Sequence, residues 1–355
     1  MANKNDYITV EGRRYHFTEI DALLEDTRHT HYSFIRDLHT FLVEWFDESD
    51  KIKVQTSGST GTPKQMLVKK DRMTASAQMT CSFLDLKPND TALLCMPLEY
   101  IAGKMMVVRA IVAELNLIVR TPSGHPLSDV DIHLSFAAMI PLQVYNSLQS
   151  EEHKKKLEGI DKLIIGGGAI DVVLENEIKT LPNASYSTYG MTETLSHIAL
   201  RRLNGEDASL FYRPFSSIKL SLSENDTLVI NAPHITDETI TTNDIAEILP
   251  DGCFIIKGRR DNVINSGGVK IQIEEVESSL RPFIKGKFAI TSKVDTKLGE
   301  TVVLLLEEEN DETCLQHHIN AVLPRFHRPQ YIIMTAKIPE TLNGKTDRPA
   351  CKRLV

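Results

Sequence analysis

The stretch "DKLIIGGGAIDVVLENEIK", residues 161–179, predicts the fold class. It begins as a short apolar strand, passes through three glycines and continues with the apolar spacing of a helix. Strand–loop–helix units of this kind build α/β sheets, in which loops at the strand ends hold ligands. The preceding sequence fits the same fold, because it predicts helices at 73–86 and 105–115 and a buried strand at 90–98.

The pattern changes toward the C-terminus. Residues 216–257 predict short strands separated by turns, whereas the sequence beyond residue 262 alternates again between helix and strand. The elements predicted there are a helix at 272–283, a strand at 301–309, a helix at 313–326 and a strand at 330–339. We therefore expect an α/β protein with a large N-terminal domain of layered sheets and helices (1–260) and a small α+β C-terminal domain (261–355).

Composition excludes several classes of protein. The 355 residues carry a net charge of −8, which argues against broad binding to nucleic acid or to an anionic membrane. The most apolar region, 91–119, is interrupted by Glu99, Lys104, Arg109 and Glu114, so no membrane span is predicted. The N-terminus lacks the apolar core of a signal peptide. The five cysteines are widely spaced without a C-x-x-C pair, which favours reduced thiols and a cytoplasmic location.

A loop rich in small residues, "TSGSTGTPK" at 56–64, has two interpretations. Such composition is typical of a plain surface loop. It also suits a phosphate loop, in which Gly58 and Gly61 let the backbone close on an anion and Lys64 supplies positive charge. It is not a P-loop of the Walker type, because the second glycine of that pattern would fall at Pro63. The loop alone does not decide between these interpretations.

Three further stretches are ambiguous when each is taken alone. "STYGMTETLSHIAL" (187–200) favours a helix start, with Thr192 as the cap and Glu193 in the first turn. "GRRDNVINSGGVKI" (258–271) suits a hairpin at a domain border, and "PETLNGKTDR" (339–348) suits a turn followed by a solvated lysine.

Taken together and in this order, the four stretches resemble the motifs of the adenylate-forming superfamily, which includes acyl-CoA synthetases, nonribosomal peptide adenylation domains and luciferases. "TSGSTGTPK" is similar to the family's phosphate loop and "STYGMTET" to its adenine and magnesium motif. "GRRDNVINSGGVKI" is similar to its hinge and hairpin, and "PETLNGKTDR" to its C-terminal lysine loop. The resemblance covers roughly residues 54 to 348 and implies an enzyme that uses ATP, Mg²⁺ and coenzyme A.

The resemblance implies two half-reactions at one site. A carboxylate attacks the α-phosphorus of ATP to give an acyl-adenylate and pyrophosphate, and a thiol then displaces AMP. Positive charge is needed where the two anions meet. The catalytic residues implied are Lys345, Thr192 and Glu193, of which Glu193 also holds the metal. The ATP and AMP contacts implied are Thr56, Ser57, Gly58, Ser59, Thr60, Gly61, Lys64, Gly167, Gly168, Ala169, Tyr189, Gly190, Met191, Asp244 and Arg259.

Individual roles follow from the same resemblance. Tyr189 is expected to stack on adenine, Asp244 to accept the ribose hydroxyls and Arg259 to contact the nucleotide. The C-terminal domain is expected to rotate between the half-reactions about Asp261. One pose brings Lys345 into the site. The other presents a hairpin to the pantetheine arm of CoA, through Ser266, Gly267, Gly268 and Lys270.

The sequence departs from the family pattern in three places. Only about 55 residues precede the phosphate loop and residues 120–160 look abbreviated, so the N-terminal domain is expected to be reduced. A homodimer and the extent of the acyl tunnel are left open. The ribose motif reads Thr242-Asn243-Asp244, with Asn where the family has Gly, a replacement that tolerates positive φ. Glu99-Tyr100 replaces the usual Phe-His of the acyl pocket.

The acid cannot be read from the motifs directly, but the stretch from residue 187 to 200 most resembles the o-succinylbenzoate–CoA ligases of menaquinone synthesis. Tyr100, Ser196 and His197 are the acyl-pocket candidates, and Arg201 is a further polar donor. An isolated histidine after a helix start is as often a structural residue. The alternatives are a CoA ligase for another aromatic or short acid, and an adenylation domain that loads a carrier protein. A non-catalytic relative is disfavoured because Lys345, Glu193 and Lys64 are retained.

Overall fold

The computed structural model describes residues 6–26, 32–55, 65–308, 311–340 and 346–355. Within these ranges, no helix is both long enough and apolar enough to cross a bilayer. The strands up to residue 259 are β1 (Tyr7–Val10), β2 (Arg13–His16), β3 (Lys51–Gln55), β4 (Gln65–Lys69), β5 (Thr91–Leu94), β6 (Asn116–Val119), β7 (Leu134–Met139), β8 (Ile160–Ile165), β9 (Ala184–Gly190), β10 (His197–Arg202), β11 (Arg213–Pro214), β12 (Lys219–Leu222), β13 (Thr227–Asn231), β14 (Ile240–Ile248) and β15 (Phe254–Arg259). The helices of the same region are α1 (Ala22–Glu25), α2 (Tyr32–Phe46), α3 (Lys70–Phe83), α4 (Ile101–Val112), α5 (Pro141–Leu148), α6 (Glu151–Glu158) and α7 (Val172–Ile178).

A large, mostly parallel sheet forms the centre of this region. Its strand order across the described residues is β11-β10-β9-β8-β7-β5-β6-β1-β2. The strands from β9 to β1 pair in parallel, and antiparallel strands lie at both edges. The central strands are short apolar runs such as "TALL" in β5, as expected where both faces of a sheet are covered by helices. This sheet confirms the α/β prediction drawn from residues 161–179.

A second, antiparallel sheet consists of β12, β13, β14 and β15. Its last two strands pair so that Asp244 lies directly opposite Arg259. A separate hairpin, β3–β4, flanks residues 56–64 and is closed at its end by the pair Gln55 and Gln65.

The C-terminal residues build a sheet of their own with order β17-β16-β19-β18 and β20 beside β19. The elements are β16 (Val263–Ser266), β17 (Val269–Gln272), α8 (Ile273–Leu280), β18 (Phe288–Asp295), β19 (Gly299–Leu306), α9 (Glu312–Val322), β20 (Tyr331–Met334) and α10 (Arg348–Lys352). Two apolar clusters fill this part, and all their members lie beyond residue 263. The domain boundary predicted between residues 260 and 261 remains a proposal.

Several elements differ in length from the prediction. β5 ends at Leu94, and α4 begins at Ile101, four residues before the predicted start. The early start is possible because Gly103 packs against the main chain of Pro97, where a Cβ would lie 2.3 Å from the carbonyl oxygen. α8 ends at Leu280 and continues as a 3₁₀ turn, since Pro282 has no amide hydrogen to donate.

Candidate active site

The predicted nucleotide residues come together at the carboxyl ends of two neighbouring strands. Gly167 and Gly168 follow β8, and Tyr189 lies near the end of β9, which pairs with β8 in parallel. The glycine turn is required by close packing, because a Cβ on Gly166 would lie 2.2 Å from the hydroxyl of Thr188. Gly167 has a φ of +81°, a conformation that favours glycine. This edge of a parallel sheet is where α/β proteins bind ligands.

Tyr189, Asp244 and Arg259 form one connected group beside this edge. The hydroxyl of Tyr189 donates to Oδ2 of Asp244 over 2.6 Å, and Nη1 of Arg259 donates to Oδ1 of the same carboxylate over 3.2 Å. The Tyr189 ring packs edge-on against Phe254, with ring centres 5.2 Å apart. The motif residues 189, 244 and 259 come from distant parts of the sequence, and the structure brings them together.

Burial, followed by the nearby Asp244 carboxylate, raises the pKa of Tyr189 well above its ordinary value. The phenol therefore stays protonated and donates its hydrogen to Asp244. Each oxygen of Asp244 accepts one of these hydrogen bonds, and a carboxylate has about four acceptor positions. Acceptor capacity thus remains for two ribose hydroxyls, which is the role predicted for Asp244.

The magnesium motif forms a tight turn between two antiparallel strands. Thr192–Thr194 is a single 3₁₀ turn, after which β10 runs back along β9. The hydroxyl of Thr194 closes the turn by accepting from the amide of Met191 over 2.9 Å. The helix start favoured for this stretch in isolation is therefore wrong. The turn leaves Glu193 exposed and Thr192 partly exposed at the sheet edge.

Gly190 is the point where this turn closes most tightly. A Cβ on Gly190 would lie 2.4 Å from the main-chain oxygen of Ser196 and 2.5 Å from Cα of His197. The turn ends at Leu195, a buried residue with φ of +62°. A non-glycine residue in this region of φ is strained, and such strain is often found at functional sites.

A buried arginine contacts the same turn through Ser196. Arg109, on α4, is 2% exposed, and its Nη2 donates to Oγ of Ser196 over 2.6 Å. Its Nε has no hydrogen-bond partner among the described residues, and no described carboxylate influences the pKa of the guanidinium. Burial lowers the pKa of Arg109 to about 10, so the side chain remains cationic at neutral pH. A buried cation without a counterion is costly unless a ligand supplies the charge.

Sequence reasoning did not identify Arg109 as a site residue. The available signal was a single arginine within the apolar helix 105–115. The predicted donor Arg201 is instead engaged by Glu175, with N–O distances of 2.6 and 3.1 Å. Both ring nitrogens of His197 have partners inside the protein, namely Ser196 and Thr80. Tyr100 precedes the first turn of α4, where it forms a β-bridge with Gln55 at the end of β3.

The predicted hinge lies in a 3₁₀ turn, Arg260–Asn262, that joins β15 to β16. The carboxylate of Asp261 accepts from Nη2 of Arg259 over 2.7 Å and from the amide of Asn243 over 3.4 Å. The predicted CoA hairpin is β16–β17, as the sequence indicated. Its turn has φ of +59° at Gly267 and +84° at Gly268, and Lys270 is exposed while Ser266 is buried.

Two predicted groups lie outside the described residues. These are the phosphate loop, residues 56–64, and Lys345, within 341–345. The residues that flank each group are described. The phosphate loop is flanked by β3 and β4, and the lysine loop is closed by an antiparallel bridge between Glu340 and Thr346. Met191 and Ala169 lie next to the turns already described.

A parallel sheet with a glycine turn, a carboxylate-bearing turn and the Tyr189–Asp244 pair beside its edge is typical of a nucleotide-binding α/β enzyme. Comparison with known proteins gives the family: the model for "AMP-binding enzyme" matches residues 43–233, more than half of the chain. The chain belongs to this AMP-binding enzyme family. The predicted membership of the adenylate-forming superfamily is thereby confirmed.

Individual relatives agree with this assignment. The 2-succinylbenzoate–CoA ligase of Escherichia coli K12 is 26% identical over 358 residues, covering 94% of this chain and 76% of that protein. An acyl-CoA synthetase (AMP-forming)/AMP-acid ligase II-like protein from Dyadobacter fermentans is 31% identical. Its crystal structure superposes with a TM-score of 0.65 and covers 94% of this chain and 96% of that one. The fold is also shared with the o-succinylbenzoate–CoA synthetase of Bacillus subtilis bound to ATP and magnesium, which is 19% identical with a TM-score of 0.69.

Replacing Glu193 with glutamine is expected to raise the Mg²⁺ concentration for half-maximal rate by about tenfold or more, because a neutral amide is a poor ligand for a hard cation. Magnesium titration of the pyrophosphate-release rate measures this change. The control is Glu206→Gln, which changes an exposed glutamate in the loop after β10. Equal magnesium dependence of the two variants would mean that Glu193 does not hold the metal.

Asp261→Pro is expected to keep pyrophosphate release near the wild-type rate and to slow thioester formation by about tenfold or more. Proline fixes φ near −65°, which suits a 3₁₀ turn such as the one seen at 260–262 but opposes rotation about it. Asp261→Ala, which leaves φ free, is the matched control. If pyrophosphate release and thioester formation both stay near the wild-type rates in Asp261→Pro, residue 261 is not the pivot.

Proposed function

We propose that the protein is an ATP-dependent acid–CoA ligase that converts 2-succinylbenzoate into its CoA thioester through an acyl-adenylate. Seven of its similar relatives carry the name 2-succinylbenzoate–CoA ligase, at 22–26% identity over most of this chain. This activity belongs to menaquinone synthesis, as the motif resemblance implies. Residues 261–355 act as the mobile lid.

The observation that carries the choice of acid is the buried guanidinium of Arg109. Among the described residues it has no carboxylate partner, and its Nε is unbonded. A dicarboxylic acid supplies what is missing, because one carboxylate is activated while the other forms charge-assisted hydrogen bonds with the arginine. A fatty acid or a simple benzoate has no second anion, and would leave this cation buried and uncompensated.

The arrangement of subsites suits the chemistry. In this proposal Tyr189 and Asp244 hold the adenosine next to the start of the 190–197 turn, and Arg109, bound to Ser196, receives the acid near its end. Thr192 and Glu193 lie between these two ends of the turn, where the α-phosphorus would meet the reacting carboxylate. Its oxygen forms a bond to phosphorus while the bond to pyrophosphate breaks. Glu193 would hold a magnesium ion, which would shield the anionic charge of the phosphates.

Pyrophosphate release with a panel of acids, with and without CoA, tests the proposal. The panel contains 2-succinylbenzoate, its two analogues that each lack one carboxylate, other aromatic acids and fatty acids. We expect kcat/KM to favour 2-succinylbenzoate over either analogue by about 10²-fold, since a site built for a polar group discriminates against ligands that lack it. A preference for any monocarboxylic acid would contradict the proposal.

One comparison supports a carrier protein, in place of CoA, as the acceptor of the acyl group. The chain is 22% identical, over 85% of its length, to a segment that makes up 7% of a linear gramicidin synthase polypeptide from Brevibacillus parabrevis. An adenylation domain that loads a carrier protein would release pyrophosphate with the preferred acid but would form no thioester with free CoA. The plus-CoA arm of the panel distinguishes these acceptors.

A further inference from the structure

A continuous chain of hydrogen bonds links the buried arginine to helix α3. Nη2 of Arg109 lies 2.6 Å from Oγ of Ser196, and that Oγ lies 3.3 Å from Nδ1 of His197. Nε2 of His197 lies 3.0 Å from Oγ1 of Thr80. The chain ends where Thr80 donates to the main-chain oxygen of Ser76 over 3.3 Å. His197 and Thr80 are both buried.

The donor and acceptor groups at the two ends set the direction of the hydrogen bonds in this series. Arginine only donates, so Ser196 must accept from it and has its own hydroxyl hydrogen to give to Nδ1 of His197. If Nδ1 accepts, the neutral imidazole carries its hydrogen on Nε2 and donates to Thr80, which then donates to the carbonyl of Ser76. Every contact is then a hydrogen bond that points away from Arg109.

The opposite tautomer fits these contacts less well. With hydrogen on Nδ1, both Arg109 and His197 would donate to Ser196, and the Thr80 hydroxyl would donate to Nε2. The hydroxyl hydrogen of Ser196 and the carbonyl contact at Ser76 would then be unused. The imidazolium form is disfavoured too, because burial and the charge of Arg109 lower the pKa of His197 well below its ordinary value. The ring also packs edge-on against Phe215, with centres 5.6 Å apart, which fixes its plane.

We infer that Thr80 is a positioning residue for acid recognition: through His197 and Ser196 it fixes the Arg109 guanidinium in the orientation that receives the second carboxylate. The inference rests on the proposed function for the identity of the ligand, but the hydrogen-bond chain exists without it. Ser196 holds Nη2 of Arg109, while Nε has no partner among the described residues and is the donor left for the acid in this proposal. His197 then acts behind the arginine and does not itself touch the substrate.

The test compares Thr80→Val, which removes the hydroxyl and keeps the shape, with Thr80→Ser, which restores the hydroxyl. The matched control is Thr74→Val, because Thr74 lies on the same helix and its hydroxyl donates to the carbonyl of Lys70 over 2.9 Å. For 2-succinylbenzoate we expect Thr80→Val to raise KM by about three- to tenfold with kcat within about twofold, the pattern of lost uniform binding. Thr80→Ser and Thr74→Val should stay near wild type, and analogues without the second carboxylate should show no such KM change.

Nitrogen-15 NMR of the histidine side chains provides a readout that needs no substrate. In the wild type, His197 is expected as the neutral Nε2–H tautomer, assigned by comparison with His197→Gln. Thr80→Val should shift it toward a mixture of tautomers, and Thr74→Val should not.

An Nδ1–H tautomer or an imidazolium in the wild type would overturn the inference, even if Thr80→Val failed to fold. Equal KM changes in Thr80→Val and Thr74→Val would also overturn it. If the tautomer is as expected but no dicarboxylic acid is preferred, the hydrogen-bond chain stands and the proposed substrate is wrong.

Discussion

Lys345→Ala is expected to lower the rate of acyl-adenylate formation by about 10³-fold, the scale seen when a charged donor is removed from a site where negative charge develops. The same variant should convert a supplied acyl-adenylate into thioester within about threefold of the wild-type rate. The lysine is needed only while pyrophosphate leaves, because only then do a carboxylate and a triphosphate share one site. Pyrophosphate release and CoA consumption, measured separately, report the two half-reactions.

The segments that flank Lys345 in the sequence are consistent with a role confined to one step. Lys345 comes just before Thr346, which forms an isolated antiparallel bridge with Glu340, between β20 and α10 of the C-terminal region. The C-terminal sheet follows the antiparallel sheet β12–β15 through the short turn Arg260–Asn262. A matched control is Lys352→Ala on α10, a lysine whose Nζ pairs with Glu300 over 2.8 Å. Equal loss of both half-reactions in the Lys345 variant would contradict the division of labour.

Arg109→Met is expected to lower kcat/KM for 2-succinylbenzoate by about 10²-fold, because hydrogen bonds between charged groups contribute about 1.5–3 kcal/mol each. Methionine keeps the approximate length and apolar contacts of the side chain within α4. Analogues with one carboxylate should be turned over as well as before. The decisive measurement is the ratio of kcat/KM for 2-succinylbenzoate to kcat/KM for an analogue with one carboxylate, in the variant and in the wild type.

The free protein provides a second readout of the same change. Replacing a buried, uncompensated cation by an apolar side chain is expected to stabilise the unliganded protein by about 1–4 kcal/mol. Arg201→Met is the contrasting variant, because it breaks a pair with Glu175 and should destabilise the fold without altering acid selectivity. If Arg201→Met changed selectivity and Arg109→Met did not, the acid would bind where the sequence first suggested.

The sequence predicted the sheet more reliably than the acid pocket, and the reason is physical. Strand β8, its glycine turn and helix α7 are adjacent in the chain, so local apolar spacing and glycine content define them. Tyr189, Asp244 and Arg259 were identified because motifs mark them, although about 55 and 15 residues separate them. No local pattern predicts that the Tyr189 hydroxyl donates to Asp244.

The proposed acid site depends on packing between elements that are distant in the sequence. Thr80 and His197 are 117 residues apart, and Arg109 and Ser196 are 87 apart. Each is ordinary in its own segment: a threonine in a helix, an arginine in an apolar run, a histidine after a turn. The helix start expected at Thr192 failed for a related reason, since the antiparallel return of β10 along β9 overrides the local capping preference.

The division of labour around the 190–197 turn has a consequence for the redesign of this enzyme. The groups predicted to hold the nucleotide lie on β9, β14 and β15, whereas Thr80 and Arg109, which we propose for acid recognition, lie on α3 and α4. The two sets meet at Gly190, where the main chain of Ser196 and His197 leaves no room for a side chain. Residues on these two helices can therefore be changed to alter which acid is bound, while the residues predicted to bind ATP stay unchanged. New acid specificities should be accessible by mutating α3 and α4 together, provided that Gly190 is kept.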